Sequence, residues 1–162
     1  MSSPFPLEQL QDAAVNRLLS DAMFDGSQST NGAPIPIITE LKGDIVNEIT
    51  LAVDKLGICV LVLTPVFRLH NAEIASLDGY AHLVISVFEN VVLNQTALRS
   101  ISVAQNVLGL MHFWPTGVPA GNGSEAVFMS DEGQEAIILN NEGPPLQYSV
   151  PLQARIIIQR PT

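Results

Sequence analysis

The chain has 162 residues, of which 47% are hydrophobic and only 14% charged, and its 7 Lys and Arg against 16 Asp and Glu give a net charge of −9. This length suits one domain with a buried core, and the acidic balance argues against a nucleic-acid-binding surface, which needs clustered Lys and Arg. Because soluble domains have about 25% charged residues, the shortage of charge favours a surface that other subunits partly cover.

The N-terminus and the single cysteine bear on the cellular compartment. Residues 1–6 lack the basic and apolar regions of a secretion signal, and the longest apolar run is too short to span a bilayer. Cys59 lies in an apolar run, where an inert buried thiol is expected and no intramolecular disulfide can form. We therefore expect a soluble protein that folds in a reducing cytoplasm.

Apolar periodicity and turn residues divide the chain into helices, strands and loops. In chain order, the first predicted elements are a helix over 6–24, a loop over Asp25–Pro34, a short extended stretch over Pro34–Ile38 and a helix from about Leu41 to Leu56. The next are a strand over Ile58–His70, a loop over Asn71–Gly79 and a strand over Tyr80–Leu93. After these we expect a helix from about Thr96 to His112 with Thr96 as N-cap, a Gly/Pro loop over Trp114–Gly123, and a hairpin of Glu125–Ser130 with Glu135–Asn140.

The final strand, Leu146–Gln159, has the clearest pattern in the sequence. Apolar side chains occupy nearly every even position and polar ones the odd positions, which predicts one dry and one wet face in an antiparallel sheet. Pro151 cannot donate to a ladder, so we expect its amide position to face outward at an edge or a bulge. The prediction is one α+β domain over 1–162. It has an antiparallel or mixed sheet of about four to five strands, about three helices, and the order α-α-β-β-α-β-β-β.

No linear pattern predicts chemistry. Gly121 to Ala126 matches G-x-G-x-x-A, but a Pro-rich loop precedes it and a strand follows, so a flexible loop is the better interpretation. His70, His82 and His112 are spread over separate elements without metal-ligand spacing. The acidic residues around Asp131 fit a solvated turn and lack the calcium-loop pattern. We expect no catalytic residue, no cofactor and no metal.

The stretch Tyr80–Leu110 resembles the tail-terminator (minor tail) proteins of long-tailed bacteriophages. The last segment of the strand contains Glu89-Asn90 and runs to Asn94. A helix follows, and then the loop that begins with Trp114-Pro115. The N-terminal half is also similar to that family, with a leading helix, an extended Pro-Ile-Pro-Ile stretch, a second helix and a strand. The resemblance therefore spans nearly the whole chain.

The resemblance implies a virion structural protein that forms a ring, usually hexameric, on the tail tube. Such a ring stops tube polymerisation and meets the head-completion (neck) proteins, while genome DNA only passes through an acidic lumen. The two-sided apolar run Ile58–Leu63 and the edge-like strand with Pro151 suit packing that is completed in a ring. Three loops are candidates for partner contacts, Asp25–Pro34, Asn71–Gly79 and Trp114–Ser124. Candidate interface residues are Phe113, Trp114, Pro115, Gly121, Gly123 and Pro151.

Three alternatives stay open. A neck protein (stopper or adaptor) of the same virion would share the composition and the ring symmetry. A small enzyme or ligand-binding domain would have an internal pocket with convergent polar groups, and a stand-alone bacterial dimer would bury one two-fold patch. Trp114 has two interpretations of equal standing, an interface anchor or a plug of the core between sheet and helix.

Overall fold

A computed structural model describes residues 5–40, 43–72, 76–121, 123–131 and 133–159. The elements, in chain order, are α1 (Pro6–Leu19), a 3-10 turn (Ala22–Phe24), β1 (Ile37–Ile38), α2 (Ile45–Leu56), β2 (Ile58–Val62), β3 (Val66–Ala72), β4 (Ser76–Glu89), α3 (Ser100–Met111), β5 (Trp114–Pro119), β6 (Glu125–Phe128), β7 (Ile138–Glu142) and β8 (Leu146–Gln159).

The centre of the sheet consists of three long antiparallel segments, which are β2 together with β3, then β4, and then β8. β2 and β3 lie end to end along one side of β4, and β8 pairs with the whole of β4 on the other side, from Ser76 opposite Gln159 to Glu89 opposite Leu146. β7 extends the sheet beside the start of β8, and β1 extends it, in parallel, beside β2. The α+β class is confirmed. In the described residues the mixed sheet has six strands, and β5 pairs with β6 in a second small sheet.

The two faces of this sheet are covered differently. On one face, here called the core face, Val60, Ile85, Val150 and Leu152 pack with α1, α3 and the β5–β6 hairpin into the main core. On the opposite outer face, α2 covers only the end of the sheet around Cys59 and forms a second, smaller core with it. Both faces of β2 are therefore buried within one subunit, so the two-sided apolar run needs no neighbouring copy to cover it.

The predicted strand Ile58–His70 is present but interrupted. Pro65 has no amide hydrogen to donate, and the amide of Thr64 donates to the Glu40 carboxylate at 2.9 Å instead of to a strand. The prediction of a loop over Asn71–Gly79 was wrong, because β3 continues to Ala72 and β4 begins at Ser76 in a long hairpin. Residues 73–75, between the two strands in sequence, lie outside the described residues.

The segment after α3 was also predicted wrongly. Trp114–Gly123 was expected to be a loop, but Trp114–Pro119 is strand β5, paired with Phe128 and its neighbours in β6. The expected hairpin of Glu125–Ser130 with Glu135–Asn140 does not form, because β6 pairs backward with β5 while β7 pairs forward with β8. Gly and Pro at the positions of β5 hid its strand character, since both are depleted in strands.

Helix α3 begins four residues later than expected, at Ser100. Thr96 is not its N-cap: its hydroxyl contacts Asn94 and Leu98. The capping oxygen comes from Glu89, whose buried carboxylate accepts from the Ser100 amide at 2.9 Å and from its hydroxyl at 2.7 Å. A carboxylate at a helix N-terminus satisfies free amides and is favoured by the helix dipole.

The prediction of a loop over Asp25–Pro34 is confirmed. This loop is held by the segment that precedes α3, through Thr30 N–H to Gln95 O at 2.9 Å and Ala97 N–H to Gln28 O at 2.8 Å. Pro151 lies on β8 at a point where β4 pairs with it on one side and no strand of the described residues pairs with it on the other. The backbone nitrogen of Pro151 points away from β4, toward the space between the end of β7 and the bridge of Met129 with Gln153. Proline therefore costs the sheet no hydrogen bond at this position.

Candidate interaction surfaces

An exposed, strained aromatic residue stands at the corner between α3 and β5. Phe113 has a φ of 58°, in the left-handed region that side chains with a Cβ rarely adopt. Its amide donates to Phe128 O at 2.8 Å, which holds the corner, while the residue is 65% exposed and its ring lies against that of His112 with 4.2 Å between the centroids. Such a conformation costs of order 1–3 kcal/mol and is concentrated at functional sites, so Phe113 is a candidate contact residue.

Trp114, the next residue, belongs mainly to the core. Its half-buried ring stacks on the fully buried Phe128 with an interplanar angle of 18°. Arg17 from α1 lies over the Trp114 ring at 5.3 Å and donates through Nε to Leu110 O at 3.3 Å. Trp114 thereby joins α1 to the small sheet, which agrees with the interpretation as a core plug and leaves one ring edge at the surface.

An open groove of about 550 Å³ runs beside Trp114, between α1 and β5. One wall is the face of α1 that presents Asp12, Asn16 and Arg17, and the other is β5 from Trp114 to Pro119. The groove is open to solvent, so it is a surface depression and not an enclosed pocket of the kind that binds small molecules.

The other predicted interface residues are not brought to the same place. Pro115 is exposed on β5 beside Trp114. Gly121 and Gly123 lie at the far end of the β5–β6 hairpin, where a Cβ on Gly121 would be 2.4 Å from Ile157 O. Pro151 lies on the outer face of the sheet. Of the six residues, only Phe113, Trp114 and Pro115 form one contiguous surface.

A surface that the sequence did not reveal is the uncovered end of the outer sheet face. We call this surface the open half-face. Across β3, β4 and β8 the register places Val66, His82 and Gln153 in one row and Arg68, Tyr80 and Arg155 in the next. Its side chains are Val66, Arg68, Tyr80, His82, Val84, Pro151, Gln153 and Arg155.

Charges on the open half-face are only partly neutralised. Arg155 forms a two-pronged ion pair with Asp78, at 2.7 and 3.1 Å, and this hydrogen bonding lowers the pKa of Asp78. Burial, with help from the charge of Arg68, lowers the pKa of His82. Arg68 is exposed and has no ion pair with a described residue. A shallow cavity of about 360 Å³ borders the half-face, between Arg155 and β6.

The outward side of α2 also exposes apolar side chains. Ile49 and Val53 face the second core and Leu56 reaches the main core, so the opposite side of the helix faces solvent. There Val46 is 74% and Leu51 56% exposed. We call this side of the helix the α2 ridge, and its exposed residues are Val46, Asn47, Thr50, Leu51, Asp54 and Lys55.

The titratable groups considered from the sequence are dispersed. His70, His82 and His112 lie on β3, on β4 and after α3, and Nδ1 of His112 accepts from the Ser130 amide at 3.0 Å. No group of three His, Cys, Asp or Glu that could hold a metal ion occurs within the described residues. Burial raises the pKa of the Cys59 thiol to about 12. Gly121 and Gly123 lie between two strands and not between a strand and a helix, as a dinucleotide fingerprint requires.

Neither a scan against protein-family models nor a search of curated proteins returned a match for the chain. Among the helices in the described parts of the chain, each is too short or too polar to cross a membrane.

Proposed function

We propose that the chain is a structural protein of a long-tailed phage virion. It forms a ring at the head-proximal end of the tail tube, stops tube polymerisation and joins the tail to the neck. The observation that carries this proposal is the resemblance of Tyr80–Leu110, with Trp114-Pro115, to the tail-terminator family. The order of a long strand, a polar break and a helix is also the order of β4, Asn90–Arg99 and α3.

Two free strand edges on opposite sides of one sheet support head-to-tail assembly. β3 pairs only with β4, and β7 only with β8, so within the described residues the outward backbone groups of Val66–Ala72 and Ile138–Glu142 have no strand partner. A head-to-tail ring needs two different surfaces on each subunit, and unpaired edges readily pair with another chain. Arg68 on one edge and Glu142 on the other have opposite charges.

The corner at Phe113 is our candidate contact with the tube or the neck. Its ring is exposed and held by a strained backbone, and aromatic side chains dominate interface energetics. The net charge of −9 supports a passage for DNA, since an acidic surface repels phosphate and lets the genome slide.

A stop codon early in this gene, introduced in the phage genome that encodes it, tests the role. We expect overlong tails, because tube growth is no longer stopped, and wild-type length when the intact chain is supplied in trans. Tails of normal length that fail to join filled heads would assign the chain to the neck instead. Virions of normal number and form would refute both roles, and electron microscopy of the particles distinguishes the three outcomes.

A further inference from the structure

The α2 ridge and the open half-face match in size. The 12 residues of α2 make a helix about 18 Å long, while the five residues of β4 from Tyr80 to Val84 span about 17 Å along the half-face. The three strands of the half-face are about 10 Å wide, close to the diameter of one helix. The outer face of the sheet is therefore long enough for two helices, and its own subunit supplies one.

The two surfaces also match in chemistry. Val46 and Leu51 project from the ridge, and Val66 and Val84 are exposed on the half-face. Asp54 lies at the C-terminal end of the ridge beside Lys55, and Arg68 lies on the free β3 side of the half-face, without an ion pair to a described residue. The acids near the half-face do not oppose this match.

Those acids are already paired or lie on the other side of the half-face from Arg68. Asp78 is paired with Arg155. Glu125 borders the half-face beside Tyr80 and Arg155, and the charge of Asp131 acts on His82, both from β6 and the segment after it on the β8 side.

These surfaces cannot meet within one subunit. The buried side chain of Val53 and the partly buried Ile45 and Ile49 hold α2 against the β2 end of the outer face. We propose that the α2 ridge of one copy docks on the open half-face of a second copy, and that the contact is reciprocal, giving a two-fold dimer.

The position of α2 in the fold allows the contact to be reciprocal. The ridge points away from its own sheet, so a second copy that seats its open half-face on the ridge turns its outer face toward the first sheet. In the orientation related by a two-fold axis, the α2 of the second copy then lies over the open half-face of the first. One helix on three strands makes a contact of about 20 by 10 Å, small beside the roughly 800 Å² per partner of stable interfaces, and the two-fold arrangement doubles it.

This dimer goes beyond the proposed function and does not depend on it. The ring contact proposed above uses the edges of β3 and β7, whereas the dimer uses a sheet face and a helix. Face-to-face docking is a form that the free protein adopts before any tube or neck is present, and it is therefore measurable with the purified full chain alone.

A paired-cysteine experiment tests both the contact and its symmetry. The double variant Leu51→Cys/Val84→Cys, treated with a short bifunctional maleimide, is expected to give covalent dimers only, because both links close within one pair. A ladder of trimers and higher species would refute the two-fold arrangement, and absence of cross-linking would refute the contact. Val92→Cys/Val84→Cys is the control, since Val92 is 92% exposed on a turn outside both surfaces.

The native thiol does not interfere, because Cys59 is buried and its pKa is raised to about 12, which keeps it protonated and unreactive.

Charge exchange provides the second measurement. The wild-type chain of 17.4 kDa is expected to sediment as a dimer, and Asp54→Arg and Arg68→Asp are each expected to weaken dimerisation about tenfold, with recovery in the double variant. A monomeric wild type at tens of micromolar, or single variants that dimerise as the wild type does, would overturn the proposal. Circular dichroism of each variant establishes that loss of mass is not loss of fold.

Discussion

Replacing Glu89 with Gln removes a buried charge around which three segments of the chain are organised. The carboxylate has no exposed surface and accepts four hydrogen bonds, from Asn94 Nδ2 at 2.8 Å, Arg99 Nε at 3.2 Å, and the Ser100 amide and hydroxyl at 2.9 and 2.7 Å. Glu89→Gln keeps the volume but replaces one oxygen with an amide group, which must then face two donors.

The magnitude follows from those four bonds. Two are lost in the variant, and each hydrogen bond to a charged group is worth about 1.5–3 kcal/mol. The Arg99 side chain is 60% exposed and recovers water, so its share is discounted. We expect a loss of about 3 kcal/mol in the free energy of unfolding. For a domain of this size, that is a fall of about 6–12 °C in Tm by differential scanning calorimetry.

The pH dependence gives an independent check. Burial favours the neutral form of Glu89, but the hydrogen bonds from Asn94 and Ser100 and the charge of Arg99 outweigh it and lower the pKa below 4.5. The unfolded chain therefore binds this proton first as pH falls, so the stabilisation is complete above about pH 4.5 and disappears as pH falls through the folded pKa. The difference between the wild type and Glu89→Gln should shrink over that range.

Glu135→Gln, at an exposed position, is the matched control and should shift Tm by less than about 2 °C. If Glu89→Gln behaves like this control at neutral pH, or if its deficit does not depend on pH, the reasoning about the buried carboxylate is wrong.

Three further predictions concern the region after α3. Gly121→Ala should lower the free energy of unfolding by about 2 kcal/mol or more, since the added Cβ would lie 2.4 Å from Ile157 O. Gly123→Ala has a similar φ but open space around the added Cβ, so it should lower the free energy of unfolding by only about 1 kcal/mol. Urea unfolding measures both, and equal losses would contradict the steric account. Trp114→Ala should lower the free energy of unfolding by about 3 kcal/mol, because the ring packs on the core; an unchanged Tm would restore the interpretation of Trp114 as an interface anchor. Phe113→Gly should leave Tm unchanged or raise it, since glycine relieves the positive φ, and a fall of several degrees would show that the Phe113 ring stabilises the subunit.

The parts of the fold that the sequence predicted well are those where one periodicity governs a long stretch. Leu146–Gln159 was predicted with its correct bounds because its even positions face one core along the whole strand. α2 ends at Leu56 as expected, since Gly57 adopts a φ of 88° that suits a helix C-terminus. The predicted start of this helix, near Leu41, falls where residues 41–42 lie outside the described residues, and the helix begins at Ile45 with Asp44 as N-cap.

Predictions failed where pairing partners are distant in sequence. β5 looks like a loop because it contains two prolines and a glycine, and only its pairing with β6 makes it a strand. Glu89 looks like an ordinary strand residue, and its capping role depends on α3 being folded back onto it. The open half-face is invisible in sequence because it arises from the mismatch between a long sheet and a short helix, which is a property of packing.

The pairing of β4 with β8 has a consequence for synthesis of the chain. Ser76 lies opposite Gln159 and Glu89 opposite Leu146, and α3, β6 and β7 all contact β8. The strand that completes the sheet, β8, is thus translated after every other described element. Contacts this distant in sequence make folding slow, and the β3–β4 hairpin must wait with one side of β4 unpaired until β8 emerges from the ribosome. The nascent chain is most prone to aggregation in that interval.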